Sequence, residues 1–177
     1  MSPTSYPIIG IAGRARVGKD TCAEFLTRYL GGYRYGFADP LKRMLIPLGI
    51  DMTDPFWTEN KENEIPLFGR SVRYIMQTLG TEWGRELIHP DIWVKLAECV
   101  LFERGERMII SDVRFDNEAD FIREHGGVIL HVTRTDARKI EPHASEAGIR
   151  MSSMDLYVAN DGTIDMLYTQ LTTLFEE

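Results

Sequence analysis

Gly13-Arg14-Ala15-Arg16-Val17-Gly18-Lys19-Asp20-Thr21 decides how the rest of this sequence is read. The apolar run Ile8-Ile9-Gly10-Ile11-Ala12 stands before it, and an amphipathic helical pattern follows. Strand, glycine loop and helix, in that order, are the setting of a phosphate-binding P-loop. Gly13 lets the chain turn sharply, and Gly18 lets the backbone approach a phosphate with no side chain in the way. Successive N–H groups along Arg14, Ala15, Arg16 and Val17 then face inward as an anion-binding nest, helped by the helix N-terminus. Lys19 supplies a mobile positive charge for terminal phosphates. The usual pattern places a Ser or Thr hydroxyl next, on magnesium. Here Asp20 fills that position and Thr21 follows it. The plain alternative is a glycine-rich turn with a surface lysine.

The sequence has 177 residues and a net charge of −7. That length supports one sizeable core, hence one domain with a small excursion. Hydrophobic residues at 44% and charged residues at 27% give an ordinary globular composition. The acidic balance argues against broad binding of polymeric nucleic acid, so local basic clusters serve something small. Cys22 and Cys99 have no metal-like Cys/His spacing and read as small buried hydrophobes in a reducing compartment. No apolar run is long enough for a membrane span, and Met1-Ser2-Pro3-Thr4-Ser5 lacks a signal pattern. A soluble, cytoplasmic protein with no membrane partner is expected. Oligomeric state stays open, a homodimer included.

Periodicity predicts a helix with Cys22, Phe25, Leu26, Tyr29 and Leu30 on one face, stopped by Gly31-Gly32. Arg34 to Ala38 reads as a second strand, and Pro40 suits the first turn of a helix from Leu41 to about Ile46. Residues 49–69 read as irregular, with a solvated polar run from Glu59 to Glu64. Ser71 suits the N-cap of a helix with Val72, Ile75, Met76, Leu79 and Trp83 inward and Arg70, Arg73 and Gln77 on the other face. A helix after Pro90 turns Trp93, Leu96, Ala97, Val100 and Leu101 inward. Strands follow at Met108–Ser111, Val128–Val132 and Leu156–Ala159, with helices from about Asn117 to His125 and after Asn160-Asp161-Gly162. In the last helix Ile164, Leu167, Tyr168, Leu171 and Phe175 share a face.

Strands alternating with helices predict a parallel sheet covered on both faces. Ligands bind such sheets beyond the carboxyl ends of the strands. The chemistry-bearing residues stand there in order: Gly13 to Thr21, Asp39, Asp112 with Arg114, Arg134, and Asn160 with Asp161. Asp39 and Asp161 also suit helix caps. Asp112 resembles a magnesium-organising carboxylate at a strand end, against a surface cap or an ion pair with Arg114. Arg114 can fork onto a phosphate. The segment from Arg134 to Glu146, with Arg138, Lys139, His143 and Ser145, reads as a lid that excludes water, against a solvated loop. Residues 40–105 form the place for an acceptor, where Lys42, Arg70, Arg73 and Gln77 offer a phosphate clamp and an amide. Trp83 or Phe68 offers a stacking surface. Solvated or core roles compete for each of these.

The loop, Phe37-Ala38-Asp39-Pro40-Leu41-Lys42, Gln77 to Arg85, Ser111-Asp112-Val113-Arg114-Phe115-x-Asn117-Glu118-Ala119, His143-x-Ser145-Glu146 and Asn160-Asp161-Gly162 together resemble the bacteriophage-type deoxynucleoside monophosphate kinases. The resemblance runs in order over nearly the whole chain. The loop and the Asn-Asp-Gly turn also resemble phosphomevalonate kinase and dephospho-coenzyme A kinase relatives. The resemblance implies a P-loop, NMP-kinase-like α/β/α fold with a five-stranded parallel sheet in the order 2-3-1-4-5. Its parts would be a core of residues 6–39, 106–134 and 155–177, an acceptor-binding insertion at 40–105 and a lid at 135–152. It implies transfer of the ATP γ-phosphate to a deoxynucleoside monophosphate, in host cytoplasm if the protein is phage-encoded.

On that reading ATP lies in residues 13–21, with Asn160, Asp161 and Gly162 bordering the adenine. Asp20 or Thr21, with Asp112 behind, would hold Mg2+. Lys19, Arg114, Arg134 and Arg138 would neutralise the moving phosphoryl group. Asp39, Lys42, Arg70, Arg73, Gln77, Trp83, Asp112, Arg114, His143, Ser145 and Glu146 would serve the acceptor. A kinase of another small phosphorylated metabolite, an NTP-hydrolysing switch and a nucleotide-binding module are the competing readings.

Overall fold

The structure, a computed structural model, describes residues 6–135 and 148–176. The chain divides into two compact units, residues 1–36 with 97–177 and residues 37–96. Each is described on its own.

The larger unit is built on β1 (Ile8–Ala12), α1 (Lys19–Leu30) and β2 (Tyr33–Tyr35) from the first part of the chain. In the smaller unit lie α2 (Asp39–Leu45), α3 (Pro55–Glu59), β3 (Glu64–Ile65), β4 (Arg70–Ser71) and α4 (Val72–Thr78). Helix α5 (Ile92–Arg104) carries the chain back, and β5 (Met108–Val113), α6 (Asp116–Glu124), β6 (Val128–Thr133), β7 (Leu156–Ala159) and α7 (Ile164–Phe175) complete the larger unit.

Five strands form one parallel sheet in the order β2-β5-β1-β6-β7. With the two short strands of the smaller unit left out of the numbering, this is the expected 2-3-1-4-5. β1 sits in the middle and is buried along its whole length, which explains its uninterrupted apolar run. Ile9 and Ile11 face α1 and α7, packing with Leu26, Ile109, Leu130, Leu171 and Phe175. Gly10 faces α6. A Cβ there would stand 2.5 Å from Ile122 Cδ1 and 2.9 Å from Ile129 Cδ1. Gly10→Ala is therefore expected to destabilise the fold by about 1–3 kcal/mol through overpacking, read from denaturant midpoints.

β5 contains a bulge. Gly10 pairs with Ile110 and Ala12 with Val113, so one extra residue lies between. The bulge resets the alternation: Ile110 and Val113, three apart, share the α6 face. Ser111 and Asp112 are left half-buried between them. Bulges of this kind re-aim side chains at the ends of strands.

In the smaller unit Leu45, Ile50 and Val72 form a buried cluster joined by Trp57, Ile65 and Ile75. Ser71 caps α4 as expected, its Oγ accepting from Tyr74 N at 3.2 Å. After Thr78 the helix continues through Leu79–Ile88 with wider turns, closed by a 3.0 Å bond from His89 N to Gly84 O. The wide turn brings Gly84 against Trp93, where a Cβ would lie 2.4 Å from Trp93 Cζ2. The Trp93 indole donates to Gly80 O at 2.9 Å.

Several expectations are corrected. The second strand is Tyr33–Tyr35 instead of Arg34 to Ala38, because α2 already begins at Asp39. Residues 49–69 are not wholly irregular: Asp54 caps α3, and β3 pairs with β4. Arg70 lies in β4, ahead of the helix. Tyr29, Trp83, Leu96 and Ile164 are exposed, off the buried faces of their helices. Cys99 is exposed as well, whereas Cys22 is buried and its thiol is pushed up to about 11 by burial. Among the described residues no helix is long and apolar enough to cross a membrane.

Candidate functional site

The loop of residues 13–18 is a tight structure that needs its glycines. Gly13 has φ +149° and Gly18 has φ +104°. A Cβ on Gly13 would lie 2.4 Å from Val132 O. Arg16, with φ +65°, holds a left-handed conformation that a non-glycine residue adopts only under constraint. Cys22 N donates to Gly18 O at 3.0 Å, so α1 starts directly on the loop. The Lys19 ammonium folds back over it, donating to Gly13 O and Arg14 O at 2.8 Å each. Asp20 is exposed in the first turn of α1, which suits a carboxylate there. It pairs with Arg34 Nη2 at 2.6 Å.

The parallel register sets the neighbouring strand ends beside this loop. Ala12 pairs with Val113 on one side and His131 on the other, and Thr133 pairs with Ala159. Asp112 with Arg114, the loop, Arg134 and Asn160 with Asp161 thus line one edge of the sheet. Arg114 is half-buried and its backbone is fixed: Glu118, 2% exposed, accepts from Arg114 N at 2.7 Å and from Phe115 N at 3.1 Å through Oε2. Arg134 is exposed. Asp161 Oδ1 accepts from Thr135 N at 2.7 Å, and Asn160 Nδ2 donates to Val17 O at 2.9 Å.

Behind this edge lies a buried ionic network that the sequence reading did not single out. Asp155, its side chain 1% exposed, accepts from Arg123 at 2.8 Å, from His131 Nε2 at 2.9 Å and from Ser152 N at 2.9 Å. His131 stacks on Tyr157, with centroids 5.0 Å apart. Arg123 also donates to Arg150 O, and Arg150 reaches Asp116 and Asp120 at 3.1 and 2.9 Å. Burial raises the Asp155 pKa, but the bonds from Arg123, His131 and Ser152 outweigh it and hold the carboxyl below its usual value.

In the smaller unit the candidate acceptor residues have partners within that unit. Asp39 and Lys42 form an ion pair at 2.8 Å. Arg73 pairs with Glu62 at 2.5 Å, and Arg70 lies 5.1 Å from the ring centroid of Tyr74. Gln77 is half-buried, and Trp83 and Phe68 are exposed at 36% and 37%. Arg138, His143, Ser145 and Glu146 lie outside the described residues.

Glu118 lies within the Asp112-Val113-Arg114-Phe115-x-Asn117-Glu118 motif. Its signal is its place three residues after Phe115, where a helix acid reaches back to the N–H groups before the first turn. Arg34 and Asp155 had no comparable signal.

Sheet order, central strand, glycine loop and helix define an α/β protein with the fold of the P-loop, NMP-kinase-like group. The model of the deoxynucleotide monophosphate kinase family matches residues 58–171, beginning after the loop. A chain of Acanthamoeba polyphaga mimivirus, provisionally named a deoxynucleotide monophosphate kinase, is 30% identical over 93% of both chains. The deoxynucleotide monophosphate kinase of Enterobacteria phage T4 is 31% identical over 57% of this chain and 44% of its own. The deoxynucleoside-5'-monophosphate kinase of Escherichia phage T5 is 32% identical over 52% of this chain and 40% of its own. This chain therefore matches less than half the length of those two phage relatives. The chain belongs to the phage-type deoxynucleotide monophosphate kinase family.

Proposed function

We propose that this protein transfers the γ-phosphoryl group of ATP to the 5'-phosphate of a deoxynucleoside monophosphate, giving the diphosphate. The observation that carries the reading is the glycine loop with the Lys19 ammonium held over its carbonyls at the carboxyl edge of the sheet, in a chain of this family. Such transfer is mainly positioning and electrostatic stabilisation. Lys19 exchanges its two carbonyl partners for phosphate oxygens. Arg114 and Arg134 add positive charge from the flanking strand ends, and Arg138 adds more from the segment proposed as the lid. The acceptor is already a phosphate anion, so no strong base is required. Asp39, Lys42, Arg70, Arg73, Gln77 and Trp83 orient the acceptor in the proposed insertion of residues 40–105. Asp112, His143, Ser145 and Glu146 serve the same substrate.

Asp20, Thr21 and Asp112 offer oxygen donors only, the chemistry that Mg2+ selects alongside substrate phosphates. When bound, the ion draws negative charge off those phosphates. Asp20 or Thr21, with Asp112 behind, would hold it, Asp20 directly in place of its pair with Arg34 or through a water. The family assignment does not favour phosphomevalonate or dephospho-coenzyme A as acceptor, nor a hydrolytic switch. The test is ATP consumption measured against each deoxynucleoside monophosphate in turn. At least one is expected to be phosphorylated. Failure with all of them, by a protein that still binds ATP, would overturn the assignment.

A further inference from the structure

Asn160 opens the turn after β7, and its own N–H donates to Thr133 O at 2.8 Å. Its side chain reaches across to the glycine loop and donates to Val17 O at 2.9 Å. The amide also packs on the next residue, since a Cβ on Gly18 would lie 2.4 Å from Asn160 Nδ2. Across a trans peptide the carbonyl and the following N–H point in opposite directions. Drawing Val17 O toward β7 therefore turns the Gly18 N–H away from β7, to the side on which a phosphate nest presents its donors. We propose that Asn160 is a positioning residue for the nucleotide phosphates, acting through the Val17–Gly18 peptide and not through the base.

Two further observations support this. Arg16 and Gly18, on either side of Val17, both have positive φ, at +65° and +104°. Left-handed residues persist where their surroundings over-determine them, and the Asn160 bond is one such constraint. The brace is itself anchored. Asp161, the next residue, holds Thr135 N at 2.7 Å, one position after Arg134. One turn thus fixes the loop with one side chain and the Arg134 strand end with the next. Asn160 and Asp161 were expected to border adenine. The side-chain hydrogen bond that the Asn160 Nδ2 makes goes to the loop.

This inference rests on reading residues 13–21 as the phosphate site, and its test separates the two. Binding of ATP and of inorganic tripolyphosphate is measured by calorimetry for the natural chain, Asn160→Ala and Asn160→Asp, with melting curves confirming the fold. The natural chain binds both. Asn160→Ala weakens both by the same factor, about tenfold, the scale of one lost hydrogen bond to a site. Asn160→Asp weakens both further, because a carboxylate oxygen then faces Val17 O. The KM for the deoxynucleotide stays within about twofold, as a phosphate-only effect on the other substrate requires. Loss of ATP affinity with tripolyphosphate unchanged would make Asn160 a base contact and overturn the proposal, as would no change in either. Absence of binding by the natural chain would overturn the phosphate-site reading itself. If the variants fail to fold, the Gly18 amide resonance of the natural chain decides. It moves downfield with tripolyphosphate if its N–H is aimed at phosphate, and an unmoved resonance refutes the brace.

Discussion

Lys19→Ala is expected to lower the turnover number by at least about a hundredfold, the usual cost of removing one fixed charge-stabilising group from a transfer site. The melting temperature should fall by only about 2–4 °C, because the net loss of hydrogen bonding from this half-buried side chain is worth about 1 kcal/mol. The two effects separate because of where the ammonium sits. It crosses the mouth of the loop and touches two backbone oxygens there. Both are left to water when it is gone, at little cost to the fold. What is lost is the charge that meets the terminal phosphates. Lys19→Arg should recover little, since a planar fork does not replace a compact ammonium in a space built for one. Steady-state kinetics at saturating deoxynucleotide provide the check. A turnover number within threefold of the natural chain would remove Lys19 from the mechanism.

Asp155→Ala should have the opposite profile, a large loss of stability. It leaves Arg123 and His131 without the carboxylate that both contact, and removing one partner of a buried pair costs about 3 kcal/mol or more. For a chain of this size that is a fall of about 6–12 °C in melting temperature. The sign with pH follows from the lowered pKa. The carboxyl is held below its unfolded value, so its contribution is complete above about pH 4 and disappears as pH falls through the folded-state value. The natural chain should therefore lose stability more steeply below about pH 4 than Asp155→Asn. Parallel slopes for the two proteins would show that Asp155 is not a source of the acid sensitivity.

The central sheet was legible because parallel strands buried on both faces read as continuous apolar runs, as do β1, the first half of β5 (Met108–Ile110) and the start of β6 (Val128–Leu130). The helices α1 and α7 announced themselves by buried faces at helical spacing. The edge strand β2 was overextended because only three of its residues pair with β5. The wide helix at Leu79–Ile88 was not legible. It depends on Gly84 meeting Trp93, a packing contact with no periodic signature. At the site, the loop glycines and Lys19 declared themselves by type and spacing. The partners of Glu118, Asn160 and Asp155 did not, because they are backbone groups or side chains brought near only by the fold. Asn160 shows the difference most clearly. Its motif suggested nucleotide contact, but which atom it holds is fixed by the approach of β7 to the loop.

The place of β1 also bears on how the chain is made. The earliest described strand of the sheet becomes its middle strand, and its two neighbours are residues 108–113 and 128–133. Neither hydrogen-bonding edge of Ile8–Ala12 can be satisfied until the chain has been extended by about a hundred residues, which takes roughly 5–20 s at ordinary translation rates. Until then this apolar strand lacks both of its sheet neighbours. Truncated chains ending before residue 128 would expose that strand along one edge, and they are the species from which aggregation during synthesis would start.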